Sequence, residues 1–268
     1  MSRICLCLLW MLLAAGCDLF EYHPYDARLE KKYKDVNRRN LEQLGRLDRG
    51  ADTVRFAFMG DTQRWYDETE DFVEAVNRRG DVDFVIHGGD LSDFGMKQEF
   101  CWMEDIMGRL EVPHVVIIGN HDHLGTGDDV YRIMYGDLNF LFVFGKVKFV
   151  CLNTNALDTD YSVAVPDFAF IRGEMADSVS GGYTQTVVAM HAPPGSDVFN
   201  NNVDFVFHEY IKQFKNLRFC VHAHDHHLKV SDVFGDGVVY YGSAAISQRN
   251  YLLFTLTPDS YTYEVVDF

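Results

Sequence analysis

From Thr53 onward the chain alternates between two hydrophobic periods. Val54-Arg55-Phe56-Ala57-Phe58-Met59 is a short apolar run that stops at Gly60, the pattern of a buried strand. Asp67 to Arg78 then places Phe72, Val73 and Val76 on one face at helical spacing. A second strand, Asp83 to His87, stops at Gly88-Gly89; a second helix runs from Met96 to Leu110; a third strand, His114 to Ile118, stops at Gly119. Strand–helix alternation of this kind predicts parallel strands covered by helices. Phe140 to Phe144 and Lys146 to Leu152, joined at Gly145, read as a hairpin. Thr186 to Met190 and Leu217 to Val221 read as further strands, with a helix around Val203 to Phe214 between them. The tail is strand-rich at Gly237 to Tyr241, Tyr251 to Thr257 and Tyr261 to Val266. The expected fold is α/β: a four-layer α/β/β/α sandwich, two mixed β-sheets packed face to face with helices outside.

The first residues follow a different pattern. Met1-Ser2-Arg3 precedes an almost wholly apolar run from Ile4 to Leu13, then Ala14-Ala15-Gly16-Cys17. A basic start, a short apolar stretch and small residues before a cut site make a signal peptide. The run is shorter than the roughly 18 residues of a spanning helix. Ala-Ala-Gly-Cys resembles a bacterial lipobox, whose cysteine is lipidated after cleavage, although Ala14 stands where leucine is usual. An ordinary cleaved signal with an incidental cysteine is the alternative. The expected organisation is a signal peptide over 1–17, a linker or N-terminal helix over 18–50, and a catalytic domain over 51–268. The expected location is exported: a cell-envelope lipoprotein anchored to a bacterial membrane through Cys17, or a periplasmic or extracellular protein. Arg28 to Leu47 can be helical, but its apolar positions are sparse.

Composition narrows the function. The 268 residues carry a formal net charge of −16, which argues against a general nucleic-acid surface and against long nucleic acids as substrate. It does not exclude a phosphate-bearing substrate, because carboxylates that hold cations create a locally positive site. Of six cysteines, only Cys101, Cys151 and Cys220 lie beyond the leader, each in an apolar stretch, so they read as buried thiols rather than a disulfide framework.

The metal-competent residues fall at strand ends. Asp61 follows the first strand, Asp90 the second, Asn120 the third, His191 a later strand, and His224 and His226 one more. Ligands in α/β sheets bind outside the carboxyl ends of strands. Any one of these side chains alone reads as a core or turn residue; five strand ends delivering Asp, Asn or His together read as a metal site.

These blocks, Gly60-Asp61-Thr62-Gln63, Gly89-Asp90-Leu91-Ser92-Asp93, Gly119-Asn120-His121-Asp122, Met190-His191-Ala192 and Ala223-His224-Asp225-His226, resemble in order the motifs of the calcineurin-like metallophosphoesterases. The resemblance implies a metal-dependent hydrolase of phosphate esters with two divalent metal ions, Mn, Fe or Zn. Asp61, Gln63, Asp90 and His226 would hold the first ion, and Asp90, Asn120, His191 and His224 the second, with Asp90 bridging. Imidazole, carboxylate and amide oxygen suit such ions, and a metal pair activates a water and clamps both the attacking and leaving oxygens. His121 would be a catalytic group beside the phosphoryl, oriented by Asp93; a helix cap or turn residue is the other reading of Asp93. Asp122 would support the loop by hydrogen bonds.

Three departures matter. Position 63 is glutamine where the family usually has histidine, which weakens the first site. Position 223 is alanine where glycine is usual, which asks for φ below zero there. Phe94-Gly95 and His123-Leu124 stand where the Ser/Thr protein phosphatases carry phosphate-gripping arginines, so a phosphodiester or small phosphomonoester is the expected substrate. Arg64 is either a positive group for substrate or a surface arginine, and Trp65-Tyr66 either an aromatic wall or core. His87 reads as core or as support for the site, and Asn153 and Asn155 as turn residues. Residues 155–183 form a candidate lid carrying Tyr161, Phe168 and Phe170. The rival from another class is a catalytically weak or inactive metal-binding surface protein, kept open by Gln63.

Overall fold

The computed structural model describes residues 26–48, 50–159, 163–176 and 182–268. Strand periodicity sets its layers. In β1 (Val54–Met59) the side chains of Phe56 and Phe58 enter one apolar cluster, and those of Ala57 and Met59 enter another on the opposite face. The same division runs through β2 (Phe84–His87) and β3 (His114–Val116), which continue the sheet in parallel. On the other side of β1, β10 (Asn250–Leu256) and then β11 (Tyr261–Asp267) pair antiparallel, giving the order β11-β10-β1-β2-β3.

The second sheet begins with β4 (Phe140–Phe144) and β5 (Val147–Leu152), an antiparallel hairpin. Beside β5, β6 (Gln185–Met190), β7 (Leu217–His222) and β9 (Tyr240–Gly242) run parallel, and β8 (Lys229–Ser231) closes the edge antiparallel to β9. β8 escapes the sequence pattern because it is three residues long and largely exposed.

Phenylalanine fills the space between the sheets. Phe84 meets Phe149 edge-on at 5.2 Å, and Phe219 stacks on Phe254 at 4.6 Å. Each fully buried ring contributes roughly 1.5–3 kcal/mol through area alone. Outside the first sheet lie α1 (Val36–Leu47), α2 (Tyr66–Arg79), α3 (Lys97–Met107) and α4 (Gly127–Met134). Outside the second lie α5 (Phe168–Ala176) and α6 (Asp204–Ile211). The result is the expected α/β/β/α sandwich. Cys101, Cys151 and Cys220 are free and buried.

The polar stretch before Thr53 contains α1, the helix that the sequence allows there as an alternative to a linker, and it packs beside the edge strand β3. Asn37 copies a strand here: its Nδ2 donates to Val116 O and its Oδ1 accepts from Val116 N, both at 2.9 Å. Asn40 Nδ2 donates to His114 O at 2.7 Å. Amide side chains cover the open sheet edge, so apolar periodicity under-reports the packing. The candidate lid over 155–183 is described in part. Its helical part, α5, is pinned to the second sheet by Ile171, and Phe168 packs against Tyr210 at 5.5 Å. Tyr161 lies outside the described residues, as do Cys17 and the rest of residues 1–25. Among the described residues no helix is long and apolar enough to cross a membrane.

Candidate metal centre

The carboxyl ends of β1, β2 and β3 in one sheet and of β6 and β7 in the other meet at one edge of the sandwich. Their loops are tight. Asp61 (φ 53), Gln63 (φ 37), Asp90 (φ 59), His224 (φ 69) and His226 (φ 59) all take left-handed backbone, five of the seven candidate ligands. Such conformations cost of order 1 kcal/mol or more each and persist only where the surroundings over-determine them. Here they are over-determined. Asp61 N donates to Gly89 O, and Thr62 N and Gln63 N both donate to Asp90 O, all at 3.0 Å. The backbone N–H of His224 donates to the Asp61 carboxylate at 3.1 Å. Gly119 must be glycine, because a Cβ there would overlap Asp90 N and Oδ1. Ala223 keeps a negative φ, as its side chain demands, and fits because Gly60 and Gly88 face its Cβ.

The ligand atoms converge. Asp61, Asp90 and His191, all buried, present donor atoms within 4.8 Å of one another. His191 Nδ1–H donates to Gly88 O at 2.8 Å, which leaves the Nε2 lone pair facing Asn120 Oδ1 at 3.0 Å and Asp90 Oδ1 at 3.5 Å. The other ring at Asn120 is His224. Its Nε2 is engaged by Asp197 Oδ1 at 2.8 Å, so its Nδ1 lone pair faces Asn120 Oδ1 at 3.1 Å. Lone pairs turned on one another are unfavourable unless a cation sits among them. Neighbouring ligands with bonds of about 2.1 Å at right angles stand about 3.0 Å apart, so Asp90, Asn120, His191 and His224 fit a first-row cation. On the other side of Asp90, His226 Nε2 lies 3.5 Å from Asp61 Oδ1, and Gln63 Nε2 lies 3.4 Å from Asp90 Oδ2. Gln63 thus turns its amide nitrogen, not its oxygen, toward the Asp90 carboxylate.

The electrostatics point the same way. Burial favours neutral Asp61, but His226 and the nearby rings of His191 and His224 hold its carboxyl below the usual range. Burial, and then the charge of Asp61, push Asp90 up to about 7. Two buried carboxylates side by side resist double ionisation unless cations accompany them. Burial lowers His191 to about 4, so its ring is neutral, as a ligand must be.

His121 stands beside this cluster, with 36% of its side chain exposed. Its Nδ1 donates to the backbone carbonyl of Asp93 at 2.8 Å, whereas the Asp93 carboxylate is 3.8 Å away. That carboxylate pairs with Arg64 at 2.7 Å instead. Asp93 therefore orients His121 through its main chain, and Arg64 is committed to an ion pair. Burial lowers the affinity of His121 for a proton, but the Asp93 carbonyl and the charges of Asp90 and Asp93 outweigh it and raise its pKa. Asp122 accepts from the backbone N–H groups of Asp90, Ser92 and Gly119, each at 2.9 Å.

His87, His227 and the turn residues separate from the site. His87 is fully buried and held by Thr62 Oγ1 and Gly89 N. His227 is exposed and bonds to Asp225 O. Asn153 and Asn155 form a buried turn, Asn155 N donating to Asn153 Oδ1 at 3.0 Å. Trp65 is exposed, and Tyr66 packs edge-on against Trp102. A second grouping, His208, Glu209 and Asp236, already contains its cation: Lys212 Nζ lies 2.6 Å from Asp236 Oδ2. Asp197, six residues after His191 in an unpatterned loop, offered no sequence signal, and only the fold brings it to His224.

Solved structures share the fold. GAP50, described as the anchor in the inner membrane complex of Plasmodium, is 12% identical with a TM-score of 0.61, over 80% of this chain and 84% of that one. A dimetal phosphatase from Danio rerio is 12% identical with a TM-score of 0.60, over 80% and 97%. Purple acid phosphatase PPD1 from yellow lupin seeds is 11% identical with a TM-score of 0.52, over 80% of this chain and 54% of that one. No curated protein matches the sequence. The family model described as calcineurin-like phosphoesterase matches residues 54–228, from the start of β1 past the His224–His226 loop, and the chain belongs to that family.

Proposed function

We propose that the protein is a metal-dependent hydrolase of phosphate esters that holds two divalent ions, Mn, Fe or Zn, and acts on a phosphodiester or a small phosphomonoester. The observation that carries this reading is the meeting of two imidazole nitrogens and one amide oxygen beside the paired carboxylates Asp61 and Asp90. Asp61, Asp90, His226 and Gln63 hold the first ion; Asp90, Asn120, His191 and His224 hold the second. When bound, the ions supply a nucleophile from water at neutral pH and offset charge on the phosphoryl oxygens. The protein's own part is positional. Asp90 sits between the two ligand sets, and the Asp93 carbonyl fixes His121 with its second nitrogen free to give a proton to the leaving oxygen, a contribution typically of 10²–10⁴-fold.

Small esters are favoured by what rims the site. Phe94 and Leu124 are exposed where a phosphoprotein phosphatase would place arginines, and Arg64 is tied to Asp93. The Danio rerio neighbour is a dimetal phosphatase, which supports the two-ion reading. The proposal extends to location: an exported protein, anchored through Cys17.

The second reading is a metal-binding protein with little or no catalysis. Gln63, its amide nitrogen toward Asp90, favours it, and GAP50 is described as an anchor on the same fold. One experiment separates the two. The chelator-stripped protein is reloaded with Mn, Zn, Fe or Mg and tested on a panel of phosphomonoesters and diesters, with metal content measured in parallel. Metal-restored turnover that falls by at least about 10²-fold in His121→Gln supports the enzyme. No turnover on any ester, with one ion bound or none, supports the binding protein.

A further inference from the structure

Each metal-facing imidazole needs its other ring nitrogen held, because that bond sets the tautomer and the ring orientation. His191 is held by Gly88 O, a main-chain atom. His224 is held by a side chain instead: Asp197 Oδ1 lies 2.8 Å from its Nε2, opposite the Nδ1 that faces Asn120. We propose that Asp197 is a positioning residue for the second ion, which keeps the His224 proton on Nε2 and its Nδ1 lone pair on the metal side. The inference rests on the two-ion reading above.

The surrounding loop is built to present this carboxylate. Asp197 lies in the segment that follows β6, so the strand that supplies one ligand, His191, also supplies the partner of another. Asn201 braces the segment from both sides: its Oδ1 accepts from Gly195 N at 2.8 Å, and its Nδ2 donates to Ser196 O at 2.7 Å. Ser196 N closes a turn on Pro193 O at 3.1 Å. The need at His224 is also specific. Its backbone is left-handed, a conformation that persists only where the surroundings hold it. The imidazole is 14% exposed, whereas Asp197 itself is 89% exposed. That exposure screens the pair and sets the expected effect at the low end of the range for such outer partners, about tenfold in metal affinity.

The test is calorimetric titration of the chelator-stripped protein with Mn(II) and with Zn(II), for wild type, Asp197→Ala and Asp197→Asn, with melting of the metal-free proteins alongside. Wild type is expected to show two binding events. Asp197→Ala should weaken one of them about tenfold and leave the other unchanged. Asp197→Asn keeps an oxygen that can accept from Nε2–H and should recover most of that loss, while metal-free melting stays the same in all three. Equal affinities at both sites in wild type and Asp197→Ala overturn the role of Asp197. So does a variant that lowers metal-free melting and weakens both sites alike, because that is a structural role. A wild type that binds neither ion overturns the two-ion reading itself, whatever the variants do.

Discussion

Asp122 Oδ2 accepts the backbone N–H of Asp90 and that of Gly119, each at 2.9 Å, and so ties the loop after β2 to the loop after β3. Its other oxygen takes Ser92 N and Ser92 Oγ, also at 2.9 Å each. Burial and the charge of Asp90 push its carboxyl up to about 6, and the ring of donors suits the ionised form it holds above that. This buried group fixes where Asp90 stands through its main chain.

Asp122→Asn should therefore act at a distance. The new amide turns an N–H toward donors, leaving them unsatisfied in a dry site, at a cost of about 3 kcal/mol. The expected outcome in urea unfolding of metal-free protein is a lower midpoint with an unchanged slope, together with loss of both metals at limiting concentration. Wild-type stability in Asp122→Asn would contradict the bracing role.

His87 makes the fold acid-sensitive. Gly89 N donates to its Nδ1 at 3.1 Å, so the proton sits on Nε2, toward Thr62 Oγ1 at 3.0 Å. Burial lowers its pKa from 6.5 to about 3. The unfolded chain thus binds a proton near pH 6.5 that the folded one refuses until about pH 3. The stability it contributes is whole above pH 6.5 and is lost progressively as pH falls toward 3. His87→Asn keeps an oxygen near the Nδ1 position but cannot titrate. Unfolding free energies between pH 4 and 7, with chelator present, should slope less in the variant than in wild type. Parallel slopes would mean that His87 is charged in the folded state.

The strand ends were legible because glycine marks them and period-two apolar runs lead into them. Gly60, Gly88-Gly89 and Gly119 announced where Asp61, Asp90 and Asn120 would stand. The layers were legible for the same reason, since Phe56 and Phe58 alternate with Ala57 and Met59. What stayed hidden lacks a period. Asn37 holds the β3 edge through its amide, Asp197 reaches His224 from a loop, and the Asp93 backbone carbonyl does what its carboxylate was expected to do. A main-chain bond has no residue type to read.

Cys17, outside the described residues, carries the proposal about location. If it is the lipidated first residue of the mature protein, Cys17→Ala should leave the leader uncleaved or release the protein from membranes. Mass spectrometry of the mature N-terminus and fractionation in the native host measure both. An unmodified Cys17 with unchanged fractionation would leave an ordinary exported protein.

Gln63 is one of the points where the chain departs from its family, and its geometry sets the last prediction. The amide is buried, with left-handed backbone, and Nε2 stands 3.4 Å from Asp90 Oδ2. To hold an ion it must turn its oxygen inward, and a neutral amide oxygen is a weaker partner for Zn or Fe than an imidazole. The first site, with Asp61, Asp90, His226 and Gln63, should then release its ion before the second, which keeps Asn120, His191 and His224. Gln63→His should tighten the first site and shift its preference toward Zn or Fe, while Gln63→Ala should weaken it only modestly. Asp90→Asn should empty both, because it removes the charge that lets two cations stand side by side. Metal content per chain after dialysis against limiting metal reads all three variants. Equal occupancy in wild type and Gln63→Ala would mean that Gln63 is no ligand, and that its amide serves to hold the Asp90 carboxylate in place.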